Sequence, residues 1–161
     1  MHVATETLFE DFMRNPERHL SWFLASQRAG LLSVHMSRTE GSDTLSAHII
    51  EDLLDRLDFD LAVRNVSPRQ IDPEGPLDPL SVDYLILGSR LGTTMLYRRL
   101  FAANGPGIPA YFLAPSDTPL WQRFLKRLNA LDPALPRAAR IIDDARTGFS
   151  LFSRAAQIQT H

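Results

Sequence analysis

Apolar side chains recur every three to four positions along most of the chain, and this spacing predicts helices throughout. No segment alternates apolar and polar residues as a strand would. We expect six or seven helical segments, which form an all-α, single-domain helical bundle over residues 1–161. Their expected positions are 3–13, 16–36, a third stripe from Leu45 to Leu57, 80–103, a short segment at 111–113, 119–131 and 137–156.

Prolines and glycines separate these segments. Asn15 followed by Pro16 is typical of a helix start, because the side chain caps and proline suits the first turn. Residues 67–79 contain four prolines and one glycine, which predicts a long loop. Neither flank is long enough for a comfortable second domain, so we expect this loop to lie within one domain. The run 104–107, Asn-Gly-Pro-Gly, ends the fourth helix.

Two glycines lie four positions apart inside the fourth helix, at Gly88 and Gly92, with Ser89 beside them. Each costs about 1 kcal/mol relative to alanine in a helix interior. Because residues four apart share a helix face, something is expected to approach that face closely. A tight crossing with another helix is one explanation, and taken alone the spacing favours it. A flat ligand lying on the helix backbone is the other.

Composition and charge exclude several classes of protein. The formal net charge is -2 with both signs interspersed, which argues against a nucleic-acid binder that uses a basic face. Cysteine is absent, so disulfides, thiolate metal sites and cysteine nucleophiles are excluded. The first residues lack the regions of a signal peptide, and no apolar run is long enough to cross a bilayer. We therefore expect a cytoplasmic protein without a membrane partner.

The fourth helix resembles the distal helix of bacterial heme oxygenases. Residues 87–94, Leu-Gly-Ser-Arg-Leu-Gly-Thr-Thr, contain that family's Gly-Ser-x-Leu-Gly core, and Tyr84 matches its preceding tyrosine. Leu87 stands where the bacterial proteins usually carry glutamate. Thr93 and Thr94 stand where glycine or alanine is usual, which slightly narrows the space above a heme.

Three further segments resemble the same family in the same order. Residues 21–27 are similar to its aromatic, Phe-Leu and glutamine segment, and 121–125 to its Trp-x-x-Phe segment. Residues 141–149 resemble the last core helix, where an Ala-x-x-x-Phe pattern packs near the heme. The resemblance covers nearly the whole chain and implies the heme oxygenase-like fold.

The resemblance also implies a proximal histidine on the first helix. His2 would ligate the heme iron, and Glu6, four positions later on the same face, would orient the imidazole by a hydrogen bond. Family members usually carry a longer, often basic segment before this histidine, whereas Met1 alone precedes it here. The competing interpretation is that His2 belongs to a disordered terminus.

By the same resemblance, Gly88, Ser89 and Gly92 form the catalytic distal face. Cationic or hydroxyl side chains at the pocket rim would hold the two heme propionates. The further heme-binding residues implied are Tyr84, Thr93, Tyr111, Arg123, Arg127, Arg146 and Phe149. A second metal site could be imagined from His48, Glu51 and Asp52, but their polar helix face favours a solvated surface.

The implied activity is that of a heme oxygenase. Heme is both substrate and cofactor, molecular oxygen is the co-substrate, and the products are biliverdin, carbon monoxide and ferrous iron. Electrons would come from a separate ferredoxin or flavoprotein reductase, because the chain has no nucleotide-binding fingerprint. Two alternatives stay open: a non-catalytic heme or tetrapyrrole binder of the same fold, and a helical interaction module that has no heme.

Overall fold

A computed structural model describes residues 2–101 and 107–159, with side chains from residue 7 onward. Within these residues the chain is helical and has no strand, as the apolar spacing predicted. Six α-helices and one 3₁₀ turn are present in the described ranges. They are α1 (His2–Arg14), α2 (Pro16–Met36), α3 (Ala47–Val63), α4 (Pro79–Phe101), the 3₁₀ turn Ala110–Leu113, α5 (Thr118–Asn129) and α6 (Pro136–Ile158).

Side-chain caps mark the starts of α2 and α5, and the helix boundaries other than those of α3 lie within two residues of the predicted ones. The Asn15 side chain accepts the Arg18 N–H at 3.3 Å, and Pro16 occupies the first turn of α2. Asp117 caps α5 in the same way by accepting the Leu120 N–H at 2.9 Å. The exception is α3, because its predicted first residue, Leu45, lies before the helix and the helix continues beyond Leu57.

Helix α2 lies at the centre of the core and packs against α1, α3 and α6. The Phe12 ring of α1 is fully buried and stacks on Phe23 of α2, with 4.5 Å between ring centroids. A second apolar cluster joins α4 to α5 and α6. Its buried members are Leu45, Leu80, Leu87, Leu120, Phe124 and Ile141.

Two buried carboxylates fix elements that lack a cap of their own. Asp83 of α4 accepts the backbone N–H groups of Leu45 and Ser46 at 3.1 and 2.9 Å, and the Ser46 hydroxyl at 2.7 Å. Asp60 of α3 accepts the N–H groups of Ala110 and Tyr111 at 2.7 and 2.9 Å. The start of α3 is therefore held by α4, and the 3₁₀ turn is held by α3.

The connection between α3 and α4 is a loop over residues 64–78, as predicted from its prolines. The Leu77 N–H donates to the Ser37 carbonyl at 2.8 Å, and Asp78 contacts Arg137 of α6 at 2.9 Å. No helix in the described ranges is both long enough and apolar enough to cross a membrane.

Candidate functional site

The helical glycines of this chain fall into two groups. At Gly30 a Cβ atom would press on the Phe152 ring, and at Gly148 it would press on the Leu85 side chain. These two glycines allow α6 to cross α2 and α4 closely. At Gly88 and Gly92 a Cβ atom would meet none of the described residues within 4 Å. Within the described residues, therefore, no tight helix crossing accounts for Gly88 and Gly92.

The face of α4 that carries Gly92 borders a cavity of about 810 Å³. Helix α1 packs mainly against α2 and α6, and this leaves a gap between α1 and α4. The α1 side chains Phe9 and Met13 line the gap on one side. Residues of α4 line it on the other: Ser89, Gly92, Thr93, Met95 and Leu96.

A second cavity, of about 510 Å³, adjoins the first between α1, α2 and α6. Phe9, Phe23 and Gln27 line both cavities, and we call the two together the cleft. Further side chains around the second cavity are Trp22, Arg146, Phe149, Ser150, Phe152 and Ser153. Each cavity falls in the range of roughly 300–1,000 Å³ that is typical of small-molecule sites.

A short series of polar groups lies at the floor of the cleft. The Tyr111 hydroxyl donates to Gln27 Oε1 at 3.2 Å and lies 3.5 Å from Thr93 Oγ1. The Thr93 hydroxyl also lies 2.8 Å from the Ser89 carbonyl oxygen, to which it donates. Burial raises the pKa of Tyr111, so its hydroxyl is protonated at neutral pH. Tyr111 was expected at the rim, but it is 1% exposed because Asp60 holds its backbone inside the bundle.

Cationic side chains lie along the edges of the cleft. Of the arginines expected from the sequence, Arg146 alone contributes to the described lining. Arg127 pairs with Asp43 at 3.1 Å outside the cleft, and Arg123 lies exposed on α5. Arg98 and Arg99 also line the larger cavity. Arg99 lies seven positions after Gly92 and therefore on the same helix face. This spacing alone could have predicted that Arg99 borders the same cavity as Gly92.

Tyr84 lies one helical turn before Gly88 on α4, and Phe149 of α6 packs against it. Their rings meet edge to face with 6.1 Å between centroids. Phe149 lines the smaller cavity and is 51% exposed, and Tyr84 is 43% exposed. Leu87 stands where bacterial heme oxygenases usually carry glutamate. It is buried in the second apolar cluster and is not among the residues that line the cleft.

The predicted iron ligand His2 and its partner Glu6 have side chains outside the described part of the chain. The backbone of α1 begins at His2, two turns before Phe9, which lines both cavities. Among the described side chains, no group of three histidine, aspartate or glutamate residues is arranged to hold a metal ion. The imagined site at His48 is therefore not formed, and Asp52 instead pairs with Arg56 at 2.8 Å.

Taken together, these features suit a mainly apolar ligand with acidic substituents. The two glycines leave the α4 backbone open to close approach, since no Cβ intervenes. Aromatic and aliphatic side chains supply most of the surface, and arginines lie at its edges. No protein-family model, curated protein or solved structure matches this chain.

Proposed function

We propose that this chain is a heme oxygenase-like protein that binds heme in the cleft and cleaves it to biliverdin, carbon monoxide and ferrous iron. The observation that carries the proposal is the pair Gly88 and Gly92. Both lie inside a helix, where glycine is unfavourable, and neither is explained by packing against a described residue. A ligand that lies against the α4 backbone gives them a reason to be glycine.

The side chains of the cleft have separate tasks in this proposal. Phe9, Phe23 and Leu96 surround the ring with apolar groups and exclude water from it. Arg98, Arg99 and Arg146 are the candidates to pair with propionates, for which charged hydrogen bonds are strong. The resemblance assigns axial ligation to His2. When bound, the heme supplies the iron at which oxygen is activated.

The polar floor gives the chain a way to hold protons near the ligand. Because Tyr111 donates to Gln27 Oε1, the orientation of the Gln27 amide is fixed. The amide N–H groups of Gln27 then serve the ligand or water in the cleft. Ser89 Oγ donates to the Ile86 carbonyl at 2.9 Å and borders the same cavity. We expect these groups to order water beside the glycine face and to relay protons through it.

Electrons must come from outside the chain in this proposal, from a ferredoxin or a flavoprotein reductase. A cytoplasmic location, where such donors and reduced conditions are found, fits the same proposal. The second candidate function is a heme or tetrapyrrole binder that does not turn its ligand over. Thr93 favours it, since this side chain borders the cavity where the resemblance calls for glycine or alanine.

The test is an absorbance titration with hemin, followed by ascorbate, or by ferredoxin and its reductase, in air. We expect a Soret band that decays as a broad red absorbance of biliverdin appears. A Soret band that survives reductant and oxygen would replace the oxygenase with the binder. Absence of a Soret band would contradict both functions.

A His2→Ala variant tests the axial ligand separately. We expect hemin still to enter the cleft, because the apolar lining is unchanged, but to lose the spectral signature of an axial imidazole. The matched control is His35→Ala on α2, whose ring nitrogen lies 3.1 Å from Arg38, outside the cleft. An unchanged spectrum in the His2 variant would refute His2 as the ligand.

A further inference from the structure

Arg90 is a buried cation on α4 that is not among the residues lining the cleft. It is 5% exposed, and its Nη2 donates to the Ala114 carbonyl at 2.9 Å. Its Nε and Nη1 atoms are shielded from solvent and have no acceptor among the described residues. Because a buried charge with unpaired donors lowers stability, the packing of α4 alone does not favour an arginine here.

Tyr111 is the neighbour that the Arg90 charge acts on. The guanidinium carbon lies 5.5 Å from the Tyr111 ring centroid, which is within the range of a cation–π contact. Burial raises the pKa of Tyr111, whereas a hydrogen bond with Thr93 and the charge and hydrogen bond of Arg90 act in the opposite direction. The cation therefore makes the Tyr111 hydroxyl a better hydrogen-bond donor and a poorer acceptor.

The 3₁₀ turn that carries Tyr111 is held at both ends. Asp60 accepts the Tyr111 N–H at 2.9 Å, and Arg90 donates to the carbonyl of Ala114 at the end of the turn. Phe23 meets the Tyr111 ring edge to face, with 6.2 Å between centroids. Since the backbone and the ring are both fixed, the position of the Tyr111 hydroxyl is fixed as well.

Gln27 is the residue through which Tyr111 reaches the cleft. Its Oε1 accepts the Tyr111 hydroxyl at 3.2 Å, and its side chain lines both cavities. Its Nε2 donates to no described residue, so both N–H groups are available to an acceptor in the cleft. If the hydroxyl turned instead to Thr93, whose Oγ1 lies 3.5 Å away, the Gln27 amide would lose this constraint.

We propose that Arg90 is a positioning residue for the cleft. By keeping the Tyr111 hydroxyl as a donor to Gln27 Oε1, it makes the Gln27 amide present its N–H groups, and not its oxygen, to the ligand. The reverse amide orientation would require the hydroxyl to accept a hydrogen bond from Gln27 beside a cation that already draws on its lone pairs. This part of the cleft therefore selects a hydrogen-bond acceptor, such as a carboxylate or a water oxygen. The proposal deepens the proposed function and rests on it only for the identity of the ligand as heme.

The test is the NMR signal of the Gln27 side-chain amide in the ligand-free protein, assigned by its loss in Gln27→Leu. In the wild type we expect two resolved proton signals and a high ¹⁵N NOE, because the amide is ordered. Arg90→Met should shift these signals and lower the NOE, and Tyr111→Phe should do the same because it removes the hydroxyl. The double variant should show no further change, since both substitutions act through one contact.

Arg56→Met is the matched control. Arg56 donates to the Ala110 carbonyl at 3.1 Å and so holds the same 3₁₀ turn, but its other hydrogen bond is to Asp52 and not to Tyr111. We expect the Gln27 signals of this variant to match the wild type. Wild-type Gln27 signals in Arg90→Met, or equal changes in Arg56→Met, would overturn the proposal.

A second variant keeps the test decisive if Arg90→Met fails to fold. Arg90→Gln removes the cation but keeps a polar donor, and it should lower the Gln27 NOE in the same way. Wild-type Gln27 signals in this variant would refute the role of the Arg90 charge.

Hemin titration then measures whether the ligand depends on the Gln27 amide. We expect hemin to bind about fivefold more weakly to Arg90→Met and to Tyr111→Phe, the worth of roughly one net hydrogen bond, and no more weakly to the double variant. Equal affinity in all variants would contradict the presentation of the N–H groups to the ligand. Because the NMR comparison needs no hemin, a failure of hemin to bind would count against the proposed function alone.

Discussion

Gly88 and Gly92 differ from Gly30 and Gly148 in what surrounds them, although all four lie inside helices. At Gly30 and Gly148 the missing side chain makes room for another helix, so packing explains the residue. At Gly88 and Gly92 the missing side chain leaves open space on the surface of α4, and Gly92 also lies at a cavity wall. The same residue type therefore makes room for a neighbouring helix at two positions and leaves the helix surface open at the other two.

This contrast gives a prediction for alanine substitutions. Gly88→Ala and Gly92→Ala should each raise the free energy of unfolding by up to about 1 kcal/mol, since the helix gains propensity and the new Cβ meets no described atom. Gly92→Leu should weaken hemin binding by at least an order of magnitude, because the side chain fills the cavity. Urea unfolding and hemin titration measure the two effects.

The control for these variants is Gly148→Ala, which should lower the free energy of unfolding because its Cβ presses on Leu85. If Gly92→Ala destabilises the chain as Gly148→Ala does, the open-face interpretation is wrong. If Gly92→Leu binds hemin as tightly as the wild type, the ligand does not lie against α4.

At the residue scale, the sequence was sufficient to single out the two glycines, but it was not sufficient to predict which arginines border the cleft. A glycine inside a helix is costly, so its presence alone is a signal. Arg127 looked available for a ligand because nothing nearby in sequence pairs with it. Its partner, Asp43, is 84 positions away and is visible only in the folded chain. Arg98 and Arg99 line the cavity together with Phe9 and Met13 of α1, and nothing in the local sequence distinguishes them from a solvated helix face.

At the scale of the elements, the beginning of α3 depends on a residue of α4. Ser46 occupies the N-cap position without a side-chain cap, and Asp83 holds this residue and the preceding Leu45 by accepting their backbone N–H groups. Proline and Asn or Asp caps are local, which is why the boundaries of α2 and α5 could be predicted from the sequence. The boundary of α3 could not, since the carboxylate that holds its N-cap residue lies 37 positions later in the chain.

An Asp83→Ala variant should therefore destabilise the bundle strongly. It leaves the N–H groups of Leu45 and Ser46 buried without an acceptor, at about 1–3 kcal/mol for each group. We expect the free energy of unfolding in urea to fall by on the order of 3 kcal/mol. Asp52→Ala, which breaks a more exposed pair within α3, should cost about 0.5 kcal/mol or less. Similar losses in both variants would contradict the role given to Asp83.

At the scale of the whole molecule, Asp78 ties the long loop to α6. Burial of its carboxyl opposes ionisation, but a hydrogen bond from Arg137, the Leu80 N–H and the charges of Arg137 and Arg140 outweigh it. Together they hold the pKa of Asp78 below its ordinary value. Because the pKa is lower in the folded chain, this group adds stability above about pH 4, the unfolded value. That stability is lost as the pH falls through the lower folded value.

Asp78→Asn should accordingly reduce the free energy of unfolding at pH 7 and weaken its decline below about pH 4. Urea unfolding at a series of pH values measures both changes. Asp58→Asn is the matched control, because its pair with Arg28 is half exposed and should change the pH profile little. A profile for Asp78→Asn that runs parallel to the wild type would contradict the assignment.

The helical architecture could be predicted from apolar spacing, whereas the gap between α1 and α4 and the residues buried beneath it could not. Spacing reports which face of a helix is buried, and it predicted the helices and their approximate positions. It does not report a gap between two helices that are each packed elsewhere. Tyr111 shows the consequence, since its place at the cleft floor follows from Asp60, 51 positions earlier.

The gap between α1 and α4 also affects how the chain behaves in solution. Phe9, which is 40% exposed, and Met95, which is 71% exposed, border this gap. The folded chain therefore has an exposed apolar surface there when no ligand covers it. Such surfaces promote self-association. A ligand that fills the gap would cover this surface. The yield of monomeric, non-aggregated protein on expression would then depend on how much of that ligand the host cell makes.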